Sequence, residues 1–402
     1  MDRLDELQLN RATLDRQLLL RRAARPARTA IRHLAGRQAQ APLAPYVGLW
    51  TRLSGFGHQD LKNLLAERAV VRAHLMRNTI HLLDAADFIR FRPLYQPLID
   101  RALTGHFGPR LRGVDLDELR AFAAALLSQQ PLTRGQLAGH LSPRWPETDP
   151  AALAHAATHL LQLVQVPPRG LWGSTGPATW FLASAWLAVP APVPAPVPAP
   201  SPPAPSAPTP DSDLSPHHER STTVDDTPGL PPLDDLVLRY LAAYGPATVN
   251  DIQAWSGLTR LREVTDRLGA RLRPFTGPGG AELLDLADAP RPDPDVPAPP
   301  RFLPEYDNLL LSFADRSRVI RGARQVPLPP GHGASAGTLL VDGFWAAEWR
   351  ITRGRDLAVL EIRPFGPLGV VRQDAIGAEG SALLEFAAPA VGHDVRFAAP
   401  HN

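Results

Sequence analysis

Residues 246–268, PATVNDIQAWSGLTRLREVTDRL, read as two short helices joined by a tight turn. Thr248 stands where an N-cap is needed before an apolar-periodic run, because its hydroxyl can accept from a free N–H of the first turn. Gly257 can stop that helix in a left-handed conformation, and Thr259 can cap the next, which is a helix-turn-helix reading. The segment then runs into RLRPFTGPGGAELLDL (271–286), whose apolar residues are broken by Gly and Pro as in a β-hairpin. Helices followed by a hairpin make a winged helix.

Working outward, the same pattern recurs. PLTRGQL (131–137) matches the start of the quoted stretch, with Thr133 as the cap, and is followed by a hairpin-like LVQVPPRGLWGSTGPATWFL (163–182). Nearer the N-terminus, LDRQLLLRRA (14–23), ARTAIRHLAG (27–36), LAPYVGLWTRLSG (43–55) and GHQDLKNLLAER (57–68) are helix candidates, the last recognition-like. VVRAHLMRNTIHLL (70–83) alternates on both sides of Met76-Arg77-Asn78, as a hairpin wing should. The expected fold class is therefore α+β: three tandem winged-helix units, near 8–90, 112–187 and 232–290, followed by a small C-terminal antiparallel β domain. The domains divide as 1–110, 111–187, 232–299 and 300–402. Residues 188–231 form a linker whose Pro/Ala repeat (188–210) supports neither helix nor ladder, and its His217-His218 pair reads as solvated.

Composition narrows the chemistry. A chain of 402 residues with no cysteine excludes disulfides, thiolate nucleophiles and Cys-ligated metal centres. Lys62 is its only lysine, hence the only candidate for an amine nucleophile, and it reads as a phosphate contact or an exposed residue. There is no apolar run of roughly 18 residues and no secretory leader pattern, so a soluble, cytoplasmic protein without membrane association is expected. Residues 1–110 hold 18 Lys+Arg against 9 Asp+Glu, a basic block suited to a polyanion or to a solvated surface. Winged helices serve both as duplex-DNA binders and as protein-interaction modules, and the Arg-rich start favours DNA.

The first wing carries Arg72, His74, Arg77, Asn78, Thr79 and His81, a polar set able to touch phosphates unless the imidazoles pack inside the hairpin. Arg316, Arg318 and Arg321 form a second cluster able to clamp a backbone. No GxSxG elbow, Walker loop or HExxH is present. His155 and His159 read as partly buried structure, Trp50 as core, and Asp84 and Asp87 as helix-start caps, so no metal site is expected.

Four stretches in order, GRQAQAP (36–42), HLMRNTIHLL (74–83), RFLPEYDNLLLSFADRSRVI (301–320) and LLVDGFWAAEWR (339–350), resemble the AlkZ-like (YcaQ-type) DNA glycosylases. The resemblance implies hydrolysis of the N-glycosidic bond of bulky N7-alkylated purines in double-stranded DNA, as an enzyme of DNA repair; the scarcity of lysine supports a monofunctional hydrolase without lyase activity, and no cofactor is expected. The resemblance also implies a catalytic Gln-x-Gln motif, here Gln38 and Gln40, with Arg37 beside it at the DNA, and a role in self-resistance to a DNA-alkylating natural product. A nucleoid-associated monomer is expected. The alternatives are a winged-helix transcriptional regulator without activity and a protein-interaction scaffold.

Overall fold

The computed structural model describes residues 2–188, 230–322 and 336–399, so most of the expected 188–231 linker, with His217 and His218, lies outside the described residues. The chain opens with α1 (Glu6–Arg16), set by a capping box in which Asp5 and Gln8 exchange side-chain to backbone bonds of 2.8 Å each. The helix expected over 14–23 thus starts eight residues earlier and ends near Leu18, whose φ of 57° leaves the helical region. Next come α2 (Ala27–His33), β1 (Arg37–Gln38), α3 (Ala44–Trp50), α4 (His58–Ala66), β2 (Val70–His74), β3 (Ile80–Asp84), α5 (Ala85–Phe91) and α6 (Gln96–Phe107). Asp84 caps α5 by accepting from Ala86 N–H at 2.9 Å, and Asp87 lies in that helix's first turn, as expected.

The next group runs α7 (Leu116–Gln129), β4 (Leu132–Thr133), α8 (Arg134–Leu141), α9 (Pro150–Leu160), β5 (Leu163–Val166), β6 (Thr179–Leu182) and α10 (Ala183–Ala188). Then follow α11 (Pro232–Tyr244), α12 (Val249–Ser256), α13 (Leu261–Leu268), β7 (Leu272–Thr276) and β8 (Glu282–Leu286). Thr133 and Thr248 both form capping boxes, and Gly257 ends α12 at φ 79°. Thr259 does not cap α13. Arg260 holds the N-cap position in the left-handed region with no side-chain bond, so this turn is set by backbone conformation instead of a hydroxyl.

The first two hairpins share one sheet. β1-β3-β2-β5-β6-β4 form one antiparallel six-stranded sheet, because β2 pairs with β5 through Arg72 opposite Gln165 and Ala73 opposite Val164. Edge-to-edge pairing satisfies backbone groups that two isolated hairpins would present to water. One face of this sheet packs with α11, α12 and α13 in a core that includes Val71, Ala73, Val164, Tyr240, Tyr244 and Trp255. The other joins the helices of the first two groups through Leu82, Leu163 and Trp180. β7 and β8 form a two-stranded sheet that bridges Arg3 through Thr276 and Ala247 through Leu284, and α1 reaches it through the buried Arg16–Asp285 ion pair at 2.6 Å.

The C-terminal unit contains β9 (Arg301–Leu303), α14 (Asn308–Leu311), β10 (Gly337–Val341), β11 (Phe344–Arg353), β12 (Leu357–Pro364), α15 (Val370–Ala387) and β13 (Gly392–Phe397). Its sheet, in order β13-β12-β11-β10-β9, is antiparallel except for the β12·β13 pair, which is parallel. This corrects the expectation of a purely antiparallel domain. The 18-residue α15 crosses over between β12 and β13, and such a crossover returns the chain in the same direction. The molecule is a mixed α+β protein, and no described helix is long and apolar enough to cross a membrane.

Candidate active site

β1 lies at the edge of the six-stranded sheet, entered from α2 through Gly36, whose φ of 89° favours glycine. Gln38 pairs with His81, and Ala39 N–H donates to the Ile80 carbonyl at 2.8 Å, so the chain stays hydrogen-bonded to β3 for one residue beyond the strand. Gln38 is 7% exposed and Gln40 is open to solvent. Gln38 Oε1 accepts from the Thr79 hydroxyl at 3.3 Å, and Gln40 Oε1 accepts from Ile80 N–H at 3.2 Å. The turn of the first hairpin therefore orients both amides.

The residue between them is held as well. Arg72, 2% exposed, reaches from β2 to donate to the Ala39 carbonyl at 2.9 Å and to the Arg169 carbonyl at 3.2 Å. On the other side, Arg37 is buried and paired with the buried carboxylate of Asp307, which also binds Arg52 at 2.9 and 3.0 Å. Asp307 in turn caps α14 by accepting from Leu309 N–H at 3.0 Å. Burial alone would raise the Asp307 carboxyl, but the two guanidiniums more than reverse this and hold it down to about 2. The motif is thus bolted to a turn 270 residues away in sequence.

From Ala41 onward the surface opens into a groove of about 450 Å³. Its walls are the apolar Pro42, Leu43 and Val47, the indole of Trp172, and Trp349, Arg350, Ile351 and Arg353 of β11, with Glu305 at the turn before α14. Tyr46 behind it stays protonated at neutral pH, its phenol being pushed up to about 12 by burial, and its oxygen accepts from Trp172 N–H at 3.1 Å. Trp172 stacks on His58, with ring centres 4.0 Å apart.

Several residues expected at a phosphate surface are internal. His74 stacks on Trp180 at 5.2 Å, and burial lowers both His74 and His81 to about 3, so each stays neutral. His81 is 0% exposed. Arg77 donates to the Trp255 carbonyl of α12, and Asn78 Nδ2 lies 3.3 Å from His159 Nε2. Arg37, Arg72 and His81 are buried and His74, Arg77 and Asn78 half-buried, and together they knit the shared sheet to its neighbours. The physical reason is the β2·β5 pairing, which turns the first wing from an edge into the middle of a sheet.

Thr79 stays at the site through Gln38. Of the second arginine cluster, Arg318 is 4% exposed and donates to the Pro246 carbonyl at 2.7 Å. Arg316 and Arg321 line a separate shallow pocket with Glu6 and Asp315, and Arg321 lies over Phe344 at 3.7 Å. Trp50 packs on Phe386, His155 stacks on Phe107 and His159 is 7% exposed, while Lys62 is half-buried on α4. The basic excess of the N-terminal quarter is thus partly internal: Arg16, Arg37, Arg52, Arg72 and Arg92 are among the largest fully buried side chains.

Reading the sequence missed Asp307, Arg52, Trp172 and Glu305. The signal available was the polar run Glu305-Tyr306-Asp307-Asn308 inside an otherwise apolar segment.

The profile described as DNA glycosylase AlkZ-like matches residues 31–386. The chain therefore belongs to the AlkZ-like DNA glycosylase family, and it is an enzyme of DNA repair that acts on N-glycosyl bonds. Its fold is similar to that of the Streptomyces sahachiroi DNA glycosylase AlkZ, with a TM-score of 0.68 at 19% identity, covering 99% of this chain and 100% of that one. No curated protein sequence matches the chain.

Proposed function

We propose that the protein is a monofunctional glycosylase for bulky N7-alkylguanine adducts or crosslinks, in which Gln38 and Gln40 hold the attacking water. The observation that carries this reading is the pair of amides at the end of an edge strand, both oriented by Thr79 and Ile80 of the first hairpin, at the head of an open groove. An N7-alkylguanine is already cationic, so its departure neutralises the base and needs little acid assistance. The enzyme must supply a placed water and stabilise charge on the sugar, tasks that dipoles can perform. Each amide oxygen accepts one bond and keeps a second lone pair for water, and the exposed Gln40 is the one nearer the sugar.

An open groove, in place of a closed pocket, suits a lesion too large to be extruded from the stack. Arg350 and Arg353 on one side, and Arg316 and Arg321 further off, are the cations we assign to the phosphates. We further propose that the recurring helix-and-hairpin groups are three winged helices, divided near 110, 188–231 and 300. The enzyme would act as a nucleoid-associated monomer in a cell exposed to a DNA-alkylating natural product. Incubation with duplex DNA carrying N7-methylguanine or a bulkier N7 adduct should release the modified base and leave alkali-labile abasic sites. Sequence-selective binding to undamaged DNA with no base release would refute this reading in favour of a regulator.

A further inference from the structure

The Gln-x-Gln motif carries no carboxylate, yet hydrolysis leaves a proton to be disposed of. Bond formation from the water oxygen to C1′ accompanies cleavage of C1′–N9. The electron pair stays with the base and cancels its N7 charge, and one proton of the water must leave. The structure brings one carboxylate to this groove.

Glu305 lies in the turn between β9 and α14 and lines the groove that starts at Ala41, one residue beyond Gln40. Two ties fasten that turn to the motif. Arg37, adjacent to Gln38, pairs with Asp307, two residues beyond Glu305, and Asn308 Nδ2 donates to the Gly36 carbonyl at 3.4 Å. Between them Tyr306 is held at φ 57°, a left-handed conformation that is unfavourable for a non-glycine residue and persists where surroundings over-determine it. The turn is therefore built to present residue 305 at a defined place.

We propose that Glu305 is a catalytic residue, the general base that takes the proton from the water held by Gln38 and Gln40. The inference rests on the glycosylase reading above. The charged groups that share its surroundings are Arg350 and Arg353 of β11 and, within its own turn, Asp307 with Arg37 and Arg52; the 41–47 segment contributes only apolar and backbone groups to the groove. Burial raises the Glu305 carboxyl above its usual range, which strengthens the carboxylate as a base once it is ionised.

The test is single-turnover release of N7-methylguanine from a duplex by wild type, Glu305→Gln and Glu305→Asp between pH 5 and 8, with duplex affinity and thermal melting measured in parallel. Wild type should slow as pH falls through the raised carboxyl, whereas Glu305→Gln should be slower by on the order of 10²-fold, flat with pH, and unchanged in melting and affinity. Glu305→Asp should lie between them and keep the acid limb. If Glu305→Gln excises within about tenfold of wild type with the same pH profile, or loses affinity in step with rate, the proposal is overturned while the glycosylase reading stands. Wild type that releases no base overturns the glycosylase reading itself, and this inference with it.

Discussion

Replacing Asp307 by Asn tests whether the clamp behind Gln38 holds the active site together. Asn caps a helix about as well as Asp, so the α14 cap survives and the change isolates the charge. Two magnitudes bracket the cost. The carboxyl is held at about 2 against an ordinary 3.8, which makes the ionised form worth roughly 2 kcal/mol more to the folded state than the protonated one. Removing the charge also leaves the Arg37 and Arg52 side chains, 2% and 0% exposed, without their anion, and breaking a buried pair in this way typically costs about 3–5 kcal/mol.

Urea unfolding at pH 7 should therefore show a loss between about 2 and 5 kcal/mol at an unchanged m-value. The folded carboxyl is depressed, so its contribution is complete above 3.8 and is lost as pH falls from there towards 2. Asp307→Asn should lack that acid limb. Base release should slow as well, because Arg37 adjoins Gln38. A loss under about 1 kcal/mol, together with a retained acid limb, would refute the reasoning.

Gln38→Ala and Gln40→Ala should each lower base release by on the order of 10²-fold with duplex affinity and melting unchanged; full activity in both would remove them from the mechanism. His74 and His81 are held neutral at about 3 against 6.5, so stability is complete above 6.5 and declines as pH falls from there towards 3. The decline is at most about 1.4 kcal/mol per pH unit for each residue, and identical urea midpoints at pH 7.5 and 5.5 would contradict it. Gly48→Ala would place a Cβ 2.6 Å from Arg37 Nη2, a guanidinium that its ion pair prevents from yielding. A loss of about 1–3 kcal/mol is expected on thermal or urea unfolding, and a neutral outcome would show that Arg37 can move.

Local chemistry made much of the fold legible. The capping boxes at Thr133 and Thr248, the left-handed Gly257, the Asp84 cap and all three hairpins follow from side chains acting on their own neighbours. The Gln-x-Gln segment was legible as a motif. What local chemistry misassigned was the direction in which the polar residues of the first hairpin face. Arg72, His74 and His81 look like a wing surface until β5 pairs with β2, after which their strands are interior.

The glutamine pair, the absence of thiols, the single lysine and the helix-and-hairpin rhythm are determined by the sequence, since each depends on composition or on contacts a few residues apart. Tertiary structure decided the rest: which hairpin edges merge, which arginines are buried as struts, and how Asp307 and Glu305 come to stand beside a motif some 270 residues earlier. Those outcomes depend on which backbone edges and charges find partners across the chain. Burial makes a partnered charge affordable and an unpartnered one costly, and that choice leaves no local mark.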